Sequence, residues 1–222
     1  MDESNKIETN GVSTPIPLFA NVKAVFSNLL GFLDEKKFSK QLEKRIIGRE
    51  NVGFVDRSFE QMMRKIGWKS SEAWCAYYVK LVFMNLFSFD RKWLEINLTG
   101  SAVGNYDTIK KLNKKGDNRY IAFTKDKLQV GDVFCLGVVG EGHTGIILQV
   151  LNEEKNFCLT IEGNTSSKGS REGDQIKKLE RILTFGRRSG SKKVIGFYRR
   201  NFTEKELKNL RYDEVEDTFV FD

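Results

Sequence analysis

Residues 71–86 read SEAWCAYYVKLVFMNL, and this stretch decides the fold class. Ser71 is expected to cap a helix, with Glu72 in the first turn, where a carboxylate meets the positive end of the helix dipole. Cys75, Tyr78, Val79, Val82, Phe83 and Leu86 then recur at helical spacing, which marks an apolar helix face. Cys75 therefore falls in the first turn of a mostly buried helix. Upstream, Phe59, Met62, Met63 and Ile66 line one side of another helical pattern, and a further helix is expected around Tyr106 to Leu112.

Past Val130-Gly131-Asp132 the pattern changes. Val133 to Val138, Thr144 to Leu151 and Phe157 to Ile161 are short apolar runs with turn residues between them, and Ile176 to Leu183 and Val194 to Arg200 are weaker strand candidates. Helices first and an antiparallel sheet after them make an α+β layout.

The chain has 222 residues, 40% hydrophobic and 12% aromatic, enough to bury a core and too apolar for a disordered chain. Residues 1–44 read as a polar arm and an amphipathic helix, 45–202 as the main domain, and 203–222 as a tail. That tail is acidic, whereas the chain as a whole carries a formal charge of +7. The apolar run from Pro17 to Leu33 is interrupted by Asn21, Lys23 and Asn28, so it falls short of the ~20 apolar residues of a membrane helix. The acidic, polar start Met1-Asp2-Glu3-Ser4 is unlike a basic signal peptide. The expectation is synthesis in the cytoplasm without a signal peptide.

Three widely spaced cysteines, Cys75, Cys135 and Cys158, give no disulfide framework. With no C-x-x-C pair, no zinc site is expected; no metal or cofactor is assigned. Cys135 and Cys158 sit in apolar runs and read as buried small hydrophobes. Cys75 differs, because a helix N-terminus and a nearby imidazolium both favour a thiolate. His143 is the only histidine of the chain, so any imidazole mechanism must use it. It sits in Gly142-His143-Thr144-Gly145, where a turn delivers it to the mouth of a strand. Glu162 and Asn164 are two apart in Ile161-Glu162-Gly163-Asn164-Thr165; on an extended strand both side chains would project to the same face and approach one histidine.

Four stretches together resemble the CHAP group of amidases and peptidases, in the NlpC/P60-like branch of the papain-like fold. They are Glu72-Ala73-Trp74-Cys75-Ala76-Tyr77-Tyr78-Val79, Gly131-Asp132-Val133-Phe134, Gly142-His143-Thr144-Gly145-Ile146 and Ile161-Glu162-Gly163-Asn164-Thr165. Gly169-Ser170-Arg171-Glu172-Gly173 is similar to the segment after the acid in phage-type members. The resemblance spans roughly residues 45–200 and implies a papain-like fold with N-terminal helices packed on an antiparallel β-sheet. It implies Cys75 as nucleophile, His143 as base, Glu162 as orienting acid and Asn164 as an assisting group. Trp74, Gly142 and Thr165 would be placed against substrate. Val52-Gly53-Phe54-Val55-Asp56-Arg57 does not match the calcium loop some members carry, so no metal is expected on this ground either.

The activity expected from this pattern is hydrolysis of an amide in bacterial peptidoglycan, as endopeptidase or N-acetylmuramoyl-L-alanine amidase, after release or delivery by other machinery. Lys110 to Lys115, Arg187-Arg188, Lys192-Lys193 and Arg199-Arg200 are candidates to hold anionic wall polymers, although a solvated surface explains any one of them. Two other readings use the same residues. One is a structural component of a virion or secretion machine, with the N-terminal helix or the acidic tail as docking elements. The other is a nucleic-acid binder, which would leave the catalytic quartet without a purpose; no specific nucleic-acid partner is therefore assigned.

Overall fold

The fold is described by a computed structural model covering residue 54 and residues 57–70, 72–165, 175–213 and 218–221. The arm and helix expected over 1–44, Ser71 as a cap, and Gly169-Ser170-Arg171-Glu172-Gly173 lie outside the described residues. Four helices come first: α1 (Arg57–Lys65), α2 (Cys75–Leu86), α3 (Arg91–Asn97) and α4 (Ala102–Lys114). Seven strands follow: β1 (Tyr120–Phe123), β2 (Val133–Val138), β3 (Glu141–Asn152), β4 (Phe157–Thr165), β5 (Gln175–Ile182), β6 (Arg188–Ser189) and β7 (Lys192–Arg200). They form one sheet of order β1-β7-β2-β3-β4-β5, with β6 on β7, and every pairing is antiparallel. The α+β architecture with helices on an antiparallel sheet is thus observed.

The sheet has two unequal faces. Val133 and Cys135 join the larger core beneath the helices, with Ile146, Ile161 and Tyr198 from neighbouring strands. Phe134 and Leu136 point the other way, into a smaller cluster with Ile147, Cys158, Leu183, Val194 and Phe197, as the two-residue period of a strand requires. Helix α2 is buried almost all round: only Tyr77 and Asn85 escape between Cys75 and Leu86. Even Lys80 is 5% exposed. Its ammonium donates to the Leu98 carbonyl at 2.8 Å and more weakly to that of Glu95 at 3.3 Å, and burial holds its pKa below the usual lysine value. A lysine on this helix thus satisfies carbonyls left over at the end of α3.

Three expectations change. Helix α2 begins at Cys75, so Glu72 precedes it instead of lying in its first turn. Its carboxylate accepts from the Tyr77 hydroxyl at 2.8 Å. Helix α3 and strand β1 fall within a segment whose periodicity gave no clear element beyond α4. Both are short, and β1 is specified by its distant partner β7, from Tyr120↔Arg200 to Phe123↔Phe197. The acidic tail, finally, folds back on the body. After α5 (Glu204–Asn209), strands β8 (Leu210–Asp213) and β9 (Thr218–Phe221) pair. The Thr218 hydroxyl donates to the Leu86 carbonyl at 3.1 Å, and Phe221 packs on Phe89 at 4.3 Å.

Arg199-Arg200 is likewise not an exposed basic cluster. Arg199 stacks over Phe123 at 4.1 Å and pairs with the fully buried Asp132. Its Nε lies 2.8 Å from Asp132 Oδ1 but off the hydrogen-bonding direction, while its Nη2 donates to Oδ2 at 3.0 Å. The Arg200 side chain is 5% exposed; it meets Asp90 at 2.6 Å and Glu206 at 2.7 Å. No helix among the described residues is long and apolar enough to cross a membrane.

Candidate active site

Cys75 is the first residue of α2, and the residue that caps the helix is Trp74, which makes no side-chain cap hydrogen bond. The earliest backbone hydrogen bond of the helix runs from Tyr78 N–H to the Trp74 carbonyl at 2.8 Å. Trp74 therefore offers no side-chain oxygen to the N–H groups of the first turn, which starts at Cys75. A serine or aspartate in place of Trp74 would consume those donors. N–H groups at a helix start favour a thiolate or a developing oxyanion.

Trp74 itself is 6% exposed. It meets Phe54 edge-on at 5.0 Å and Tyr78 at 6.4 Å, and it presses on β4 where a Cβ on Gly163 would stand 2.7 Å from its ring. Expected against substrate, Trp74 is placed instead as an anchor that fixes the start of α2 on the sheet. Thr165 is also buried. Gly142 alone of these three is exposed, beside Ala102 and Val103 at the start of α4.

His143 enters from β3, opposite Leu136 of β2, and its side chain is 15% exposed. Its Nε2 lies 2.7 Å from Glu162 Oε2, and Cys75 also acts on the ring. Burial works against the imidazolium, but the hydrogen bonds to Cys75 and Glu162 outweigh it and push His143 up to about 9. Cys75, His143 and Glu162 are thus brought together in the order nucleophile, base and acid.

Glu162 is fully buried, and an isolated carboxylate there would be costly. Three partners among the described residues stabilise it. Besides His143, Thr160 Oγ1 donates to its Oε1 at 2.6 Å, and Arg181 of β5 grips both oxygens, Nη2 to Oε2 at 2.7 Å and Nε to Oε1. Burial alone would raise its pKa, yet the bonds from Arg181 and His143 hold it at about 2. Sequence reasoning missed both Thr160 and Arg181. Thr160 lies two positions before Glu162 on the same strand face and was legible in principle. Arg181 is one cation among Lys177, Lys178 and Arg181, and only the register Cys158↔Arg181 brings it to the site.

Asn164 does not join them as expected. Its φ of 56° is left-handed, and the β4–β5 register shifts between Glu162 and Thr165. The alternation that was to set Glu162 and Asn164 on one face is interrupted there, and the imidazole is held by Glu162 and Cys75 instead.

The room for Glu162 comes from Gly145, opposite Phe134 in β2. A Cβ there would lie 2.6 Å from Glu162 Cγ and 2.6 Å from the Ile161 carbonyl. Gly145→Ala is therefore expected to displace the carboxylate and lower activity by about 10²-fold, the scale of an ångström-sized misplacement. It should also cost about 1–3 kcal/mol of stability through overpacking. Turnover and a thermal melt of the same sample check both.

The other two thiols lie outside this arrangement. Burial pushes both Cys135 and Cys158 up to about 12. Among the described residues no group of three or more His, Cys, Asp or Glu side chains is close enough to hold a metal ion. No known family model matches the chain, and no curated protein matches it.

Proposed function

We propose that the chain is a cysteine-dependent hydrolase of papain-like fold that cleaves an amide bond in the peptide part of bacterial peptidoglycan. The observation that carries this reading is Cys75 at the first residue of a helix, acting on an imidazole whose Nε2 is held by a buried carboxylate. In that order the three groups can do nucleophilic acyl transfer. The resemblance to CHAP amidases and peptidases supplies the substrate class.

The Cys75 thiol gives its proton to His143, and the thiolate attacks the carbonyl carbon. The N–H groups at the start of α2 receive the oxyanion. Imidazolium then protonates the leaving amine as the C–N bond breaks, which leaves an acyl-enzyme. His143 next takes a proton from water, hydroxide attacks the thioester, and the acid and free thiol are released. Glu162 holds the tautomer that keeps Nδ1 toward sulfur. The exposed lysines Lys110, Lys111 and Lys114 on α4, with Lys115 just past its end, remain available to an anionic wall polymer. Release or delivery by other machinery would bring the enzyme to the wall.

Mass spectrometry of purified peptidoglycan after incubation tests this and identifies the bond cut. New amine and carboxyl termini support the reading. An unchanged digest would instead favour a structural component of the same fold.

Labelling by iodoacetamide at pH 7 gives a further expected outcome. A thiol titrating near 12 is ionised in only about one molecule in 10⁵ at that pH. Cys75 should therefore be modified before Cys135 and Cys158 and activity lost in step, read by peptide mass spectrometry. Earlier modification of either other cysteine would count against Cys75.

A further inference from the structure

We infer that Arg181 is a positioning residue of the thiol site: the counter-charge that lets Glu162, His143 and Cys75 be ionised at the same time. This rests on the thiol-hydrolase reading and concerns what sets the charge of that site.

The bonded groups run in one line across three strands and a helix. Arg181 comes from β5, Glu162 from β4, His143 from β3 and Cys75 from the start of α2. Arg181 Nη2 and His143 Nε2 both meet Glu162 Oε2, each at 2.7 Å. The side chains of Glu162, His143 and Arg181 are 0%, 15% and 17% exposed. Solvent screening inside such a line is weak, so its net charge matters.

Counting charges shows what the arginine does. With Arg181 present, guanidinium, carboxylate, imidazolium and thiolate alternate in sign and sum to zero. Without it the same ionised triad carries one buried negative charge. The cheaper neutral state is then carboxylate with imidazolium and a protonated thiol. Glu162 would keep the imidazolium for itself and leave sulfur without its counter-ion. A buried acid beside a histidine can thus oppose thiolate formation unless something balances the acid.

Among the described residues, the neighbouring titratable groups do not supply that balance. Cys135 from β2 and Tyr198 from β7 are buried and held protonated. Lys177 of β5 stands in register with Glu162, but the bonds described for the carboxylate are those from Arg181, Thr160 and His143. Phe134 closes the site beneath, with the Arg181 guanidinium 5.8 Å above its ring and His143 at 6.4 Å.

The test is the rate of Cys75 alkylation by iodoacetamide against pH, read on the intact protein by peptide mass spectrometry. Arg181→Met is expected to slow labelling at pH 7 by about tenfold or more and to move the midpoint up by about one unit or more, the usual effect of a lost opposite charge at this range. Arg181→Lys should recover most of it. Removing the carboxylate charge as well, in Arg181→Met/Glu162→Gln, should raise the rate above that of Arg181→Met alone, since imidazolium and thiolate then balance each other. That double variant also leaves no unpaired buried carboxylate; if Arg181→Met does not fold, it is read against the parental protein, whose midpoint it should approach, and a midpoint raised by about one unit or more would overturn the inference.

A purely architectural arginine would lower the melting temperature of Arg181→Met without moving the midpoint, and the double variant would label no faster. Either result overturns the inference while leaving the hydrolase reading in place. A His143→Ala protein with the wild-type midpoint would instead remove the imidazole–thiol pair, and both readings with it.

Discussion

Cys75→Ala and His143→Ala are each expected to lower peptidoglycan cleavage by roughly 10⁴- to 10⁶-fold, the range found when a member of a nucleophile–base pair is removed. The two losses should not add. Without sulfur there is nothing to acylate. Without the imidazole the thiol keeps its proton and the leaving amine finds no acid, so the double variant should be about as slow as either single one. Any residual rate would come from the N–H groups at the start of α2 and from substrate binding. The assay is release of soluble wall peptides by variants with unchanged thermal melts. A Cys75→Ala protein that digests the wall at the parental rate would end the thiol mechanism.

The largest loss of stability is expected from Asp90→Ala. Arg200 is 9% exposed overall and its guanidinium bonds Asp90 Oδ2 at 2.6 Å, while Arg119 lies 3.6 Å from the other oxygen. The pair ties the turn before α3 to the end of β7, and Phe89, Tyr120 and Phe202 surround the guanidinium at 5.8, 5.9 and 4.7 Å. Breaking a buried pair from one side costs about 3–5 kcal/mol, because the remaining charge is left unpaired. Glu206 stays 2.7 Å from Arg200, so about 3 kcal/mol is expected. For a chain of this size that is a fall in Tm of about 6–12 °C. Asp90→Asn, which still accepts a hydrogen bond, should lose less. A melt of Asp90→Ala within 2 °C of the parent, on the order of 1 kcal/mol or below, would show that Glu206 and the Arg119 and Asn201 carbonyls satisfy Arg200 without Asp90.

The sequence carried much of this architecture because its strongest signals are local. The α2 pattern, the β2 run and the isolation of His143 depend only on neighbouring residues, and each of these elements appears at or within a few positions of its expected place. What was illegible depends on register. Nothing near Arg181 reveals that β5 slides until Arg181 faces Cys158, one strand from Glu162. The positive φ at Asn164 likewise cancels a face assignment that is sound for an uninterrupted strand. Trp74 misleads for another reason. An aromatic beside a nucleophile suits either a substrate shelf or a core anchor, and only the packing of Phe54, Tyr78 and Gly163 around it separates the two.

The strand order also bears on when the site can exist at all. β7, the last long strand of the sheet in sequence, sits between β1 and β2 in space. A chain emerging from the ribosome therefore holds Cys75 long before the sheet can close, and β5 with Arg181 also arrives late. Until then the nascent chain has a thiol on a helix but no complete charge line to ionise it. On the proposed mechanism the nucleophile is thus made early and armed late, so that its reactivity would appear only once synthesis of the domain is nearly finished.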